Sequence, residues 1–331
     1  MRRVKVGAIQ PAGLPVLPEH QPFSAEFRPD ARSLAANYAL PRLEATAALL
    51  ERAGREGFDI VSTSEDVCGI SRYLAADTSQ NGLFGALAAE TAPLAEARLS
   101  GIAKKYGMNI IGCYFKRYGG KNYNTAAAFG RGGEIAGEYR KTHIPPDELW
   151  HVEPGGSLEP IDLDCARIGA LICYDMMFPE AAGVLAARGA ELIFHPTGGY
   201  GWYDAIGEAT LRARANDNSV HIVTAKNYVF NCAGKSSVID YWGQVLADAG
   251  FSPDALVGCE IDLSAQKTQP EWFYQSRMSG EARVGLRKRG ERRPDLYGSL
   301  AESSHPRFAA PSEEGRRILA EQIRNGECRW S

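Results

Sequence analysis

The chain has 331 residues, enough for about two domains or one large α/β domain. Hydrophobic residues make up 44% and charged residues 23%, which is ordinary for a globular protein, and the formal net charge is −3. This charge gives no electrostatic reason to bind nucleic acid or an anionic membrane, so we expect a small-molecule partner, no nucleic acid and no membrane association.

The cysteine pattern indicates a reducing compartment. There are seven cysteines, an odd number, and none forms a C-x-x-C pair. This disfavours a disulfide framework or a zinc site. The opening MRRVKVGAIQPAG contains basic residues, but its apolar run is too short for a signal sequence, and no window approaches the length of a membrane span. We therefore expect a cytoplasmic protein.

Strand and helix patterns alternate along part of the chain. Alternation or apolar runs predict strands over residues 4–9, 58–63, 109–115, 124–129, 135–139, 168–172, 191–195, 221–229, 236–241 and 256–261. Helical periodicity predicts helices over residues 32–53, 81–105, 179–188 and 203–218. Several consecutive strands have no helix between them, which disfavours a uniform βα barrel. The pattern favours a layered α/β fold in which two packed sheets lie under outer helices.

The stretch 167–180 has the pattern of a strand, a tight turn and a helix. Its apolar run, 168–172, leaves neither face polar, so we expect it to be buried on both sides. The run ends at Cys173, and Pro179 then stands where the first turn of a helix favours proline. Such a turn exposes a side chain and directs backbone N–H groups toward the group it attacks, as in a nucleophile elbow. Taken alone, the pattern is also typical of an inert buried cysteine.

Two further polar residues follow predicted strands. Glu65 comes after the strand 58–63, and Lys141 comes after the strand 135–139. If these strands and that of Cys173 lie parallel in a shared sheet, their ends meet at one edge. A carboxylate can then take the thiol proton, and an ammonium can stabilise the thiolate and a developing oxyanion. Taken singly, Glu65 also fits a turn cap and Lys141 a solvated side chain.

These residues carry a resemblance to a known family. Glu65, the RKTHIP context of Lys141 and the LICYDMMFPE context of Cys173 resemble the Glu-Lys-Cys triad of the carbon-nitrogen hydrolase, or nitrilase, superfamily, in that chain order. The resemblance extends from VKVGAIQ through YNTA, HPTG, RARANDNSVHIVTAKN and SSVIDYWGQVLADAG to about Ile261.

The resemblance implies a four-layer α-β-β-α sandwich, without a metal or organic cofactor. It also implies hydrolysis of a non-peptide C–N bond through a thioester, with release of ammonia or an amine. Residues 1–267 would form the hydrolase domain, and residues 268–331 an extension that packs on this domain or on a neighbouring subunit. By analogy with the family, we expect a homodimer or a larger homo-oligomer.

The resemblance also implies roles for single residues. Glu65 would be the general base, Lys141 would stabilise the oxyanion, and Cys173 would be the nucleophile. The backbone N–H of Tyr174 would complete the oxyanion hole. A second glutamate positions the amide or the hydrolytic water in this family; Glu148 is the better match and Glu153 the weaker one.

The residues after the cysteine bear on the substrate. Tyr174-Asp175 stands where nitrilases usually have Trp-Glu, which favours an amide or an N-carbamoyl compound over a nitrile. Met176 and Met177 occupy positions where relatives acting on N-carbamoyl amino acids often have arginine, which favours an uncharged or apolar acyl or amine part, or a carboxylate held by another residue. We expect four side chains near the substrate: Met177, His195, Tyr200 and Trp202. His195 also fits the role of an acid-base partner of Cys173, although a buried, hydrogen-bonded imidazole is the more common arrangement.

Two competing functions remain open from the sequence. A nitrilase is the nearest enzymatic alternative, and it would turn over a nitrile instead of an amide. A catalytically silent protein that uses this fold to bind a partner is the alternative from another class. Selective iodoacetamide labelling of Cys173 would distinguish an enzyme from a scaffold.

Overall fold

The computed structural model describes residues 2–22, 24–74, 82–145, 147–198, 204–228, 235–265 and 292–301. Within these residues the strands are β1 Arg3–Gln10, β2 Ile60–Ser62, β3 Asn109–Tyr118, β4 Lys121–Phe129, β5 Ile135–Arg140, β6 Ile161–Asp162, β7 Arg167–Ala170, β8 Leu192–Thr197, β9 His221–Lys226, β10 Ser237–Ile239, β11 Val245–Asp248 and β12 Ala255–Asp262. The helices are α1 Ala31–Leu34, α2 Leu40–Arg55, α3 Leu83–Tyr106, α4 Pro179–Ala187, α5 Asp204–Asn218 and α6 Gly298–Ala301.

The strands form two six-stranded sheets with the same internal plan. The first has the order β12-β1-β2-β3-β4-β5, and the second has the order β11-β10-β9-β8-β7-β6. In each sheet three central parallel strands, β1-β2-β3 or β7-β8-β9, are extended by antiparallel neighbours. Because parallel strands need cover on both faces, this plan requires a layer of helices outside each sheet.

Helices and sheets pack in four layers. One hydrophobic cluster lies between the first sheet and helices α2 and α3. The other lies between the two sheets and continues under α4 and α5. The predicted α-β-β-α sandwich is confirmed by this arrangement.

The strand ends place the candidate residues in different sheets. Glu65 follows β2 and Lys141 follows β5, both in the first sheet, whereas Cys173 follows β7 in the second. The condition of a single shared sheet, under which the strand ends were expected to meet, is therefore not fulfilled. The residues converge because the two sheets face each other and bring their strand ends to a common edge.

The sequence patterns predicted the helices and strands more accurately than the residues at which they begin and end. Strand β8 runs on to Thr197, beyond the predicted end at residue 195, and the short strands β6 and β11 were not predicted. Pro41 lies in the first turn of α2, directly after a π-helical turn at Ala35–Ala39. The helix also continues to Arg55, beyond the predicted end at residue 53.

The predicted extension, residues 268–331, lies mostly outside the described residues. Its described part, 292–301, contacts the outer helices through Arg292, whose guanidinium donates a 2.9 Å hydrogen bond to the carbonyl oxygen of Gly183 in α4. Across the described ranges, no helix is both long and apolar enough to cross a membrane.

Candidate active site

Cys173 occupies a strained turn between β7 and α4. The apolar residues before it are fully buried, and Cys173 itself has a φ of 46°, in the left-handed region that non-glycine residues rarely adopt. A 3₁₀ turn, Cys173–Met177, leads to Pro179 at the start of α4, as the sequence predicted. Such backbone strain costs on the order of 1–3 kcal/mol and concentrates at functional sites. The turn leaves the cysteine partly accessible next to a buried strand.

His195 supports this turn from the neighbouring strand. Its Nε2 lies 3.1 Å from the carbonyl oxygen of Cys173, and its Nδ1 lies 3.0 Å from the hydroxyl of Thr224. Burial lowers the pKa of His195 to about 4, so the ring is neutral, with Nε2 donating and Nδ1 accepting. Both ring nitrogens are thus engaged, and the residue has no exposed surface. This arrangement suits a brace for the turn and leaves no nitrogen free to take the thiol proton.

Lys141 lies between two buried carboxylates. Its ammonium is fully buried and lies 3.0 Å from Oε1 of Glu65 and 2.6 Å from Oε1 of Glu148. Glu65 and Glu148 are each 7% exposed. Glu153, the alternative second glutamate, instead pairs with Lys121 at 3.5 Å on the surface. The structure therefore brings Glu148, and not Glu153, to Lys141.

Asn124 connects the two carboxylates from β4. Its side-chain nitrogen donates to Oε1 of Glu65 at 2.8 Å and lies 3.4 Å from Oε2 of Glu148. Its backbone oxygen also accepts from the N–H of Lys141 at 2.9 Å. One buried asparagine thus fixes both glutamates and the lysine in a single arrangement.

Glu65 is also tied to the second sheet. The backbone N–H of Gly198, after β8, donates to Oε2 of Glu65 at 2.7 Å. Asn227, after β9, donates to the backbone oxygen of Glu65 at 3.2 Å and accepts from the hydroxyl of Ser64 at 2.7 Å. These contacts hold the Glu65 loop against the sheet that carries Cys173.

The two carboxyl groups have different electrostatic environments. Burial raises the pKa of each, but in Glu65 the charge of Lys141 and hydrogen bonds from Lys141, Gly198 and Asn124 outweigh burial and lower the pKa. In Glu148, burial and the negative charge of Glu65 outweigh Lys141 and raise the pKa to about 7. Burial opposes charge on Lys141, yet the two carboxylates hold its pKa well above the ordinary value. Two carboxyls with divergent pKa values can take different proton-transfer roles.

The thiol of Cys173 is protonated at rest. Burial, reinforced by the negative charge of Glu65, raises its pKa to about 12, while Lys141 and a hydrogen bond with Thr197 act in the opposite direction. The thiol therefore needs a base at the moment of attack. Glu65, which is ionised at neutral pH, meets that requirement, whereas the neutral His195 has no free nitrogen.

The side chains predicted to lie near the substrate differ in how exposed they are. Met177 is 44% exposed on the turn, and His195 is sealed inside the protein, which argues against direct contact between His195 and a substrate. Tyr200 and Trp202 lie outside the described residues. The N–H of Tyr174 belongs to the 3₁₀ turn that carries the cysteine.

Sequence reasoning did not single out two residues that organise the site. Asn124 was noted only as part of YNTA, and Asp175 only as a departure from the nitrilase pattern. Both are fully buried polar residues. The sequence of β4 does not distinguish Asn124 from its other polar residues, Lys121, Asn122 and Thr125, so no local signal would have identified it.

No metal-binding group emerges from the part of the chain that the structure describes. Within it, no three or more His, Cys, Asp or Glu side chains are placed to hold an ion.

Sequence comparisons relate the chain to amide-hydrolysing proteins. The family model for carbon-nitrogen hydrolase matches residues 34–270. Omega-amidase NIT2 of Homo sapiens is 36% identical over 189 residues, which is 50% of this chain and 66% of that protein. Omega-amidase NIT2 of Bos taurus is 33% identical over 238 residues, 65% of this chain and 80% of the relative. The match to the human relative thus spans slightly less than two thirds of its length.

Solved structures share the fold. The carbon-nitrogen hydrolase from Helicobacter pylori G27 has a TM-score of 0.70 at 24% identity, covering 91% of this chain and 99% of the other. An amidase from Nesterenkonia sp. AN1, with acrylamide added at its active-site cysteine, has a TM-score of 0.65 at 21% identity, covering 90% and 99%. At these identities the similarity establishes the fold alone.

Proposed function

The chain belongs to the carbon-nitrogen hydrolase family, and from that premise we propose that it is a cysteine-dependent amidase acting through a thioester. The observation that carries the proposal is the buried group formed by Glu65, Lys141 and Glu148, whose charges act on the thiol of Cys173. The intact group argues against a catalytically silent scaffold, because an unused buried charge cluster is costly to maintain.

Acylation begins with proton transfer. Glu65 takes the proton of Cys173, and the sulfur forms a bond to the carbonyl carbon of the amide. The developing oxyanion is stabilised by Lys141 and by the backbone N–H of Tyr174. The C–N bond then breaks, and the proton held by Glu65 passes to the departing nitrogen. Ammonia or an amine leaves, and the acyl group remains on sulfur.

Deacylation reverses these roles. A water molecule gives a proton to Glu65 and attacks the thioester carbon. The C–S bond then breaks to release the acid, and the proton held by Glu65 passes to the sulfur, which restores the thiol. Glu148, whose pKa is about 7, lies beside Lys141 and can accept a hydrogen bond from the amide nitrogen or from this water. We assign it the positioning of these groups.

We further propose that the substrate is a small amide that carries a carboxylate. Omega-amidases are among the relatives of this chain. Lys226 is buried at the end of β9. It pairs in register with Thr197 of β8, whose side chain bonds to the Cys173 thiol. Residues paired in this way project from the same face of a sheet, so Lys226 adds positive charge on the cysteine side. Lys226→Met should therefore raise KM more for a carboxylate-bearing amide than for an uncharged one.

A substrate panel tests the proposal. Terminal amides of dicarboxylic acids, uncharged amides, N-carbamoyl amino acids and nitriles are each incubated with the protein and scored for ammonia release, with Cys173→Ala as the blank. Hydrolysis of an amide that disappears in the blank supports the proposal. Turnover of nitriles alone would favour a nitrilase, and no turnover with slow, unselective thiol labelling would favour the scaffold.

A further inference from the structure

Asp175 is a buried carboxylate two residues after the nucleophile. It has no exposed surface. One of its oxygens, Oδ2, accepts hydrogen bonds from the hydroxyl of Tyr139 at 2.8 Å and from the backbone N–H of Ile172 at 2.9 Å. Ile172 directly precedes Cys173, and Tyr139 lies in β5. This oxygen therefore joins the cysteine turn to a strand of the opposite sheet.

The other oxygen binds the segment that follows the lysine. Oδ1 accepts from the hydroxyl of Thr142 at 3.0 Å and from the backbone N–H of His143 at 2.9 Å. The Nδ1 of His143 lies 2.8 Å from the same oxygen. The donors to Asp175 thus lie on both sides of Lys141 in the chain.

The carboxylate is ionised at neutral pH. Burial raises the pKa of Asp175, but hydrogen bonds from His143, Ile172 and Tyr139 outweigh burial and hold the pKa below its usual range. Hydrogen bonds to a charged acceptor are about twice as strong as those between neutral groups. A buried anion with five donors therefore fixes the relative position of the two segments that supply them.

We propose that Asp175 is a positioning residue, which sets the distance between the Lys141 ammonium and the Cys173 sulfur by tying the end of β5 to the cysteine turn. Asp175 makes no contact with the reacting atoms, since both of its oxygens are occupied by these donors. The expected change in kcat rests on the proposed amidase function, whereas the expected change in the alkylation rate of Cys173 does not.

The direct substitution Asp175→Asn is a poor test, because the amide NH₂ would face donors and the variant is expected to unfold. Tyr139→Phe keeps the buried ring and removes the hydroxyl, which donates to Asp175 and accepts from the backbone N–H of Thr142 at 3.2 Å. Its matched control is Tyr114→Phe, which removes another buried tyrosine hydroxyl, bonded to Glu96 at 3.0 Å in the cluster between the first sheet and helices α2 and α3. Tyr139→Phe should lose more stability, because its hydroxyl makes more hydrogen bonds, so the thermal midpoints of both variants are measured. A loss of reactivity at a temperature where both variants are folded then reports positioning.

His143 provides a second comparison. Its ring donates to Asp175 and stacks on Phe178 with centroids 4.0 Å apart. His143→Ala removes both contacts, whereas His143→Asn keeps an N–H donor near the position of Nδ1 and removes only the stacking. If the bond to Asp175 sets the geometry, asparagine should restore most of the reactivity that alanine loses.

The experiment measures kcat, KM, thermal midpoint and the rate at which iodoacetamide alkylates Cys173, followed by mass spectrometry. For Tyr139→Phe we expect kcat and the alkylation rate to fall about 10- to 100-fold, with KM nearly unchanged, since misplacing reacting groups by about 1 Å has effects of this size. Tyr114→Phe should retain both rates. Equal rates in Tyr139→Phe and Tyr114→Phe, or no rescue by His143→Asn, would overturn the proposal.

The two proposals fail in different ways. If no amide is hydrolysed by the unmodified protein, the proposed function fails, yet the alkylation rates still decide whether Asp175 positions the thiol. If amides are hydrolysed and Tyr139→Phe retains full kcat, only the role of Asp175 is refuted.

Discussion

Lys141→Met tests whether the buried ammonium holds the site together. The substitution keeps a long side chain but removes the charge that Glu65 and Glu148 share at 3.0 and 2.6 Å. Removing one partner of a buried ion pair costs about 3–5 kcal/mol, because the remaining charge is left uncompensated. Both carboxyls should then bind protons, so the loss of stability should be smaller at acidic pH.

The size of this effect follows from how the free energy of unfolding depends on pH. Of the two glutamates beside Lys141 in the unmodified protein, Glu148 has a pKa raised from 4.5 to about 7, whereas the pKa of Glu65 is lowered. A raised carboxyl pKa means that the folded state binds more protons than the unfolded state, so stability falls as pH rises between 4.5 and 7. One such carboxyl gives a slope of about 1.4 kcal/mol per pH unit, and two give about 2.7. Lys141→Met should therefore nearly double the contribution of this site to the slope.

Urea unfolding between about pH 5 and 7 measures the effect as the free energy of unfolding. The matched control is Lys116→Met, because Lys116 lies between Glu96 at 2.5 Å and Glu138 at 2.7 Å, with its side chain 19% exposed. The control should lose less stability and retain amide hydrolysis. Lys141→Met should lose hydrolysis by about 10²- to 10³-fold or more, as when an oxyanion donor is removed. An unchanged pH slope, or equal losses of activity in the two variants, would refute the reasoning.

Three further outcomes follow from the site. Titration of Glu148 predicts that kcat/KM of the unmodified protein rises through about pH 7, since the ionised form accepts from Lys141. Glu148→Gln should abolish this rise, and a pH-rate profile that keeps it would contradict the assignment. Glu65→Gln should slow amide hydrolysis about 10²- to 10⁴-fold, because the thiol, with a pKa of about 12, loses its base; retained stopped-flow rates would point to another base. His195→Phe should cost about 1–3 kcal/mol in chemical unfolding, since the carbonyl of Cys173 loses its donor, and an unchanged free energy of unfolding would remove His195 from the support of the turn.

Sequence reasoning succeeded where the signal was local. The strand, turn and helix around Cys173 were predicted because an apolar run marks a buried strand and a proline restricts the backbone to the conformation of a first helical turn. The structure places Pro179 in the first turn of α4 and gives Gly189 a φ of 93° after it. The fold followed from the resemblance of longer motifs.

Long-range pairing was not predictable from the same signals. Nothing in the residues of β5 or β7 specifies which sheet each strand joins, so their placement in different sheets was not predicted. The contacts of Asn124 and Asp175 depend on side chains distant in the sequence, such as Glu65 for the first and Tyr139 for the second. These polar residues become informative only when their burial is known.

The central claim is that the sulfur of Cys173 carries the acyl group during turnover. Acid quenching during hydrolysis of the best amide, followed by mass spectrometry, tests this claim directly. We predict that the peptide containing Cys173 gains the mass of the acyl group, with no adduct on the other cysteines. Hydrolysis that continues in Cys173→Ala, or turnover without an adduct at Cys173, would contradict it.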